Sequence, residues 1–139
     1  EVSNHGLLIR IENVGTTNNV VVVREFDEYT GGYSDAVRPV EIAGILYGVT
    51  SESGRDPFNI SCEGTLWSLD LSDDTFTILQ YFQTGSINPE GFAFYNSLQV
   101  VGTNLYGLTA QSKSTKYETG TIFKYDTVLP LTILLILVL

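Results

Sequence analysis

The sequence predicts an all-β fold built from tandem units of about four antiparallel strands, two full repeats plus part of a third. Three observations predict it. Leu46-Tyr47-Gly48-Val49-Thr50 followed by Gly64-Thr65-Leu66-Trp67-Ser68-Leu69 is written again as Leu105-Tyr106-Gly107-Leu108-Thr109 followed by Gly120-Thr121-Ile122-Phe123-Lys124-Tyr125. Tyr47 to Tyr106 spans 59 positions and Gly64 to Gly120 spans 56, and self-similarity at such a period marks a repeat architecture. The composition, with 13 Gly and many Thr, Val, Ile and Tyr in a chain 43% hydrophobic and 17% charged, suits folded strands rather than disorder. No window carries an apolar stripe at helical spacing.

Taken in order, Gly6-Leu7-Leu8-Ile9-Arg10-Ile11-Glu12 matches Gly64 to Asp70 at an offset of 58 and reads as a strand. A polar turn follows, Val14 to Asn19 in one copy and Ser72-Asp73-Asp74 in the next. Val20 to Phe26 then matches Phe76 to Phe82, so each pair of runs makes a β-hairpin. Loops rich in Gly, Ser and Asn come next, at 29–35 and 83–89. Short apolar strands are expected at Val40-Glu41-Ile42-Ala43 and at Gly91-Phe92-Ala93-Phe94, before the Leu-Tyr-Gly strands. The final unit runs from Gly120 into Leu131-Thr132-Ile133-Leu134-Leu135-Ile136-Leu137-Val138-Leu139. Its Leu131–Leu135 segment aligns with Phe76–Gln80 at an offset of 55, which gives the tail a strand slot. Nine residues fall short of the roughly 20 a membrane helix needs, so no membrane span is expected within the chain; the start of an anchor remains the alternative to a strand. The chain divides as one domain, 1–139, with units at about 6–63, 64–119 and a partial 120–139. Four strands per unit is the content of a β-propeller blade.

The order Leu-Tyr-Gly-x-Thr, variable loop, Gly-Thr-apolar-aromatic, then an apolar strand ending in Phe resembles the GloVer tandem repeat. The resemblance covers Gly6 to about Leu135 and is strongest at 46–69 and 105–125. It implies propeller-like blades on secreted or surface-anchored proteins. Loops 51–63 and 110–119 lack the expected Gly-Gly pair, and the last strand is more apolar than usual. The resemblance brings no catalytic residues.

Seven basic against 16 acidic residues give a net charge of −9. That argues against nucleic acid, whose phosphates demand Lys and Arg, and against adsorption to anionic lipid. The single cysteine, Cys62, allows neither an internal disulfide nor a cysteine zinc site and reads as a small buried residue. The chain has no Met and starts at Glu1, which leads one to expect a processed product or a fragment, a removed signal peptide being the simplest explanation. Asn59-Ile60-Ser61 is an N-glycosylation acceptor, expected in an exposed loop 51–63, and with the missing Met it favours a secreted or cell-surface location.

Few residues suggest chemistry. His5 lies before the first strand and reads as a terminal residue. Asp70-Leu71-Ser72-Asp73-Asp74 makes calcium conceivable, but the spacing is not that of a calcium loop, and Asp at a hairpin turn needs no ion. Glu25, Asp27 and Glu28 read as a solvated loop. No nucleophile elbow or phosphate loop is present, and a glycosidase pair cannot be picked from acid count alone, so no enzyme and no cofactor are expected. Trp67, Tyr47, Tyr106, Tyr117 and Tyr125 could stack on sugars; recurrence of an aromatic at the Trp67/Phe123 slot favours core packing. Gly48 and Gly107 within strands mark a bend or a close backbone approach, a packing role.

A closed propeller takes at least about four blades, so two and a part leave open edges, to be covered by the rest of a longer propeller, by self-association in a ring or by strand exchange along a filament. The expected function is an extracellular structural β-repeat protein that self-assembles through open sheet edges into a filament or ring. The alternative is a glycan-binding module of a surface adhesin. Leu131, Ile133, Leu135, Leu137 and Leu139 are the expected assembly residues, because a tail without alternation needs cover on both faces. They would pair with strands of a neighbouring subunit.

Overall fold

The computed structural model describes residues 5–27, 32, 38–51, 62–82, 97–109, 120–128 and 134–138. These hold ten strands and no helix: β1 Leu7–Val14, β2 Thr17–Glu25, β3 Val40–Ile42, β4 Ile45–Thr50, β5 Thr65–Asp70, β6 Phe76–Tyr81, β7 Gln99–Val101, β8 Asn104–Thr109, β9 Thr121–Asp126 and β10 Leu134–Val138. The all-β reading holds. The strands form three antiparallel sheets, ordered β1-β2, β3-β4-β5-β6 and β10-β9-β8-β7. The two larger sheets each carry the four strands of a blade, and the first corresponds to the outer half of one. The sheets do not close into a propeller.

The two blades share one register. Tyr47 lies opposite Ser68 and Gly48 opposite Trp67, as Tyr106 lies opposite Lys124 and Gly107 opposite Phe123. β3 pairs Val40 with Tyr47, and β7 pairs Gln99 with Tyr106. The strand equivalent to β3 is therefore β7, not Gly91–Phe94, which lies outside the described residues. Turn geometry fixes this. Ala43 and Gly44 both have positive φ, 51° and 83°, as a type I′ hairpin turn requires. The corresponding turn begins at Gly102, φ 62°, and forces the partner of β8 to sit directly before it. The first hairpin also turns in two residues, with Val14 opposite Thr17, so Asn18 and Asn19 belong to β2 rather than to a turn.

The same irregularity recurs in every outer pair. The register shifts between Leu8 and Ile9 in β1–β2, between Leu66 and Trp67 in β5–β6, and between Leu135 and Leu137 in β10–β9. Each is a β-bulge, with one extra residue in the outer strand. This register equates Leu135 with Ile78, because each lies opposite the repeat aromatic, Phe123 or Trp67. The tail thus fills the expected strand slot, but at an offset of 57 instead of 55. A run of uniform aliphatic residues carries no alternation by which to set a register.

Sheet and sequence repeat are out of phase. Sheet boundaries fall at β3 and β7, so residues 64–119 supply β5 and β6 to one blade and β7 and β8 to the next.

The core lies between consecutive sheets. Phe26 follows β2 and packs on Trp67, with ring centroids 5.8 Å apart at 49°. Phe82 follows β6 and packs on Phe123 in nearly the same way, 5.4 Å apart at 52°. Each Phe is anchored identically, its N–H donating to the carbonyl of Gly6 or Gly64 at 3.0 Å. Such tilted pairs add about 0.5–1.5 kcal/mol to the burial of the rings. The strand glycines serve this contact. A Cβ on Gly48 would overlap the Trp67 ring, and one on Gly107 the Phe123 ring, so each cross-strand aromatic lies flat over a bare backbone.

The motif threonines form a second repeated lock. The Thr50 and Thr65 hydroxyls meet at 2.8 Å, and the Thr65 N–H donates to Thr50 Oγ1 at 2.9 Å. Thr109 and Thr121 repeat both bonds at 2.6 Å and 3.0 Å. All four are buried, so the pairing satisfies groups that would otherwise be costly to desolvate.

Candidate assembly surfaces

Residues alternate along each strand, so one face of a blade looks back to the preceding sheet and the other looks forward. In the β3–β6 blade, Trp67, Leu69 and Phe76 face back, gathering with Phe26, Leu8 and Val23 of the first hairpin. Tyr47, Val49 and Leu66 face forward, into a cluster with Leu105, Phe123 and Tyr125. Both faces are covered, as the consecutive buried residues Tyr47–Thr50 of β4 and Thr65–Trp67 of β5 require.

At the two ends of the structure the same faces lie open. The residues of β8 and β9 equivalent to Tyr47, Val49 and Leu66 are Tyr106, Leu108 and Ile122. Val49 and Leu66 are 2% and 0% exposed, whereas Leu108 is 46% exposed, and Tyr106 and Ile122 are half-buried. They line an open cleft of about 580 Å³ together with Ser97, Gln99 and Gly107. On the first hairpin, Ile9 and Ile11 occupy the slots of Trp67 and Leu69. Trp67 and Leu69 are buried, but Ile9 and Ile11 are 48% and 62% exposed, and their cross-strand partners Val22 and Val20 are exposed with them. The run Val20-Val21-Val22-Val23 does not alternate, and that is the signal for a strand apolar on both faces. Sequence reasoning applied this rule to the tail alone.

Of the expected assembly residues, Leu135 and Leu137 lie in β10, opposite Phe123 and Ile122. Leu131, Ile133 and Leu139 lie outside the described residues. β10 is an extended strand, and its partner is β9 of its own chain, where the sequence pointed to a neighbouring subunit. One edge of β10 is thereby occupied and the other is a sheet edge. Asn59 lies outside the described residues. Of its loop, 51–63, the described residues Ser51 and Cys62 are buried and Glu63 is half-buried.

The acidic turn has local work to do. Asp70 Oδ1 accepts the Ser72 N–H at 2.8 Å and its hydroxyl at 2.6 Å, and Asp73 Oδ1 accepts the Thr75 N–H at 2.9 Å. The hydroxyl bond, then the backbone bond, hold the Asp70 carboxyl below its usual pKa. Asp74 pairs with Arg10 Nη1 at 2.7 Å, tying the first hairpin to the next blade, and this bond chiefly raises the Arg10 pKa. Arg24 lies over the Phe76 ring at 4.5 Å across the same boundary. Among the described residues no cluster of three or more His, Cys, Asp or Glu could hold a metal ion. His5 is half-buried ahead of β1. Trp67, Tyr47 and Tyr125 are core residues, so of the candidate sugar-stacking rings Tyr106 alone, among the described residues, borders a cleft. Burial raises the Tyr47 and Tyr125 hydroxyl pKa values, and for Tyr125 the neighbouring Tyr47 raises it further. No helix among the described residues is long and apolar enough to cross a membrane.

Comparison with known protein families, with curated proteins and with solved structures finds no match for the chain. The GloVer resemblance accordingly rests on the motif residues alone.

Proposed function

We propose that the chain is an extracellular structural β-repeat module that self-assembles, into a filament or a ring, through the ends its blades leave open. One observation supports this most: Leu108 is 46% exposed, whereas Val49, its equivalent one blade earlier, is 2% exposed because another blade covers it. Full burial of a Leu is worth about 1.5–3 kcal/mol, roughly half of which Leu108 still forgoes, and a contiguous apolar patch of this kind marks an interaction surface. The extracellular part of the reading is supported by the Asn59-Ile60-Ser61 acceptor. The calcium and catalytic readings gain no support from the described residues, and a structural role needs neither. Sedimentation and negative-stain microscopy over a wide concentration range test the proposal. Rings or fibres are expected, and a chain monomeric at every concentration would overturn it.

The second reading, a glycan-binding module of a surface adhesin, is favoured by the cleft that sets the Tyr106 ring beside Ser97 and Gln99. An aromatic with convergent polar groups suits a sugar. Glycan-array binding lost in Tyr106→Ala would support it; an array without signal would remove it.

A further inference from the structure

The contact that would join two copies is already drawn inside one chain. Where the β3–β6 blade meets the next, Tyr47, Val49 and Leu66 pack with Phe123 and Tyr125. The forward residues Tyr106, Leu108 and Ile122 repeat the first set. Ile9 and Ile11 on the first hairpin repeat the second, since Ile9 takes the slot of Trp67 and Phe123, and Ile11 that of Leu69 and Tyr125. One end of the molecule thus carries the socket of the internal interface and the other end carries its plug. We propose that the forward face of the β7–β10 blade receives the outer face of the β1–β2 hairpin of a second copy, head to tail. This rests on the self-assembly reading above and names its partner and its geometry.

Three features support that occupant. The socket is concave, a cleft of about 580 Å³, and the hairpin face is an apolar sheet surface built of Ile9, Ile11, Val20 and Val22, all exposed. Charge agrees as well: Glu25 pairs with Leu7 at the exposed border of the hairpin, and Lys124 pairs with Tyr106 beside the socket. Finally, among the described residues the first sheet holds the two outer strands of a blade, so its open face and the open edge of β1 lie at the same end. A plug and a socket at opposite ends make a heterologous contact, which propagates until the rotation closes a ring or continues as a filament.

The test uses two variants of the full 139-residue chain. Leu108→Arg blocks the socket and Ile9→Glu blocks the plug. Both positions are exposed, and circular dichroism verifies the fold of each; Val20→Glu replaces Ile9→Glu if the hairpin unfolds. In sedimentation velocity each variant alone is expected to be monomeric where the wild type associates, with at least tenfold weaker self-association. Mixed in equal amounts, they should form a one-to-one dimer that grows no further, because one intact plug meets one intact socket. Wild-type assembly that survives both variants would overturn the head-to-tail contact while leaving self-assembly through sheet edges intact. Either variant alone continuing to self-associate would point to a like-to-like contact and overturn it too. A wild-type chain that never associates would overturn both this contact and the self-assembly reading, and would assign the socket to another occupant such as a glycan.

Discussion

Gly107→Ala should destabilise the protein although the backbone there is ordinary strand. In a strand, replacing Gly by Ala normally gains about 0.5–1 kcal/mol from chain entropy, so the structure predicts the opposite sign. The new Cβ would overlap Cε1 and Cζ of Phe123 and lie 3.1 Å from Leu98 Cδ2. Phe123 is fully buried and held by Phe82 at 5.4 Å, so the ring can yield only by opening the contact between the blades. Overpacking of this kind costs about 1–3 kcal/mol. Full expulsion of the ring would approach the loss in a Phe→Ala change, about 3–5 kcal/mol. At roughly 3–5 °C per kcal/mol for a chain of this size, the melting temperature should drop by several degrees at least. A thermal melt followed by circular dichroism reads this. The decisive arm is the double variant with Phe123→Leu, which removes the ring and leaves room for the methyl. The two changes should then couple by more than about 0.5 kcal/mol, beyond what independent sites show. A Gly107→Ala protein that melts at or above the wild-type temperature, or effects that simply add, would refute the role given to this glycine.

Trp67→Phe should cost about 1–2 kcal/mol, well short of the roughly 3–5 kcal/mol of truncation to Ala, because the Trp67 indole N–H is buried without a hydrogen-bond partner among the described residues and the next blade uses Phe at the same slot; chemical denaturation measures it. Thr109→Val should cost about 1–3 kcal/mol by removing the Thr109 oxygen that accepts the Thr121 N–H and meets its hydroxyl, bonds that run at 3.0 Å and 2.6 Å, and an unchanged denaturation midpoint would contradict that. Stability should fall at alkaline pH: burial raises the Tyr47 and Tyr125 pKa values in the folded state, so their contribution is whole below the ordinary tyrosine pKa of about 10 and is lost as pH climbs toward the raised values. Tyr47→Phe should flatten that decline in melts taken across the alkaline range. At the acid end, Ser72→Ala should weaken the hold on the Asp70 carboxylate, whose lowered pKa contributes stability above about pH 4 that disappears as pH falls through the folded value; the loss should show as a smaller gap between the neutral and acid melting temperatures.

The central strands could be read from the sequence because their motif letters interlock. Glycine and aromatic in Leu-Tyr-Gly-x-Thr and Gly-Thr-apolar-aromatic are two halves of one cross-strand contact, as are the two threonines, so they recur together or not at all. β7 escaped because Gly91-Phe92-Ala93-Phe94 has the stronger strand composition, whereas Gln99-Val100-Val101 is an exposed edge defined by the turn at Gly102. The tail register escaped because nine nearly uniform residues have no phase. The candidate assembly faces escaped for a different reason. Ile9, Ile11 and Leu108 look like core residues, and in a middle blade they would be core. What makes them surface is that no blade among the described residues packs on them, and no property of the residue itself records that.

The phase offset between sequence repeat and sheet bears on how such a chain can change length. Each blade takes its inner strands from one repeat and its outer strands from the next. Excising residues 64–119 would join Glu63 to Gly120 and bring β4 against β9. Gly48 would then face Phe123 and Thr50 would face Thr121, the same steps that Gly107 and Thr109 supply now. The cut ends fall inside a sheet, yet the new neighbours carry the matching halves of both contacts. Unequal recombination at the motif would therefore add or remove a blade without leaving a broken one, and the number of blades is free to drift while the joint between them stays constant.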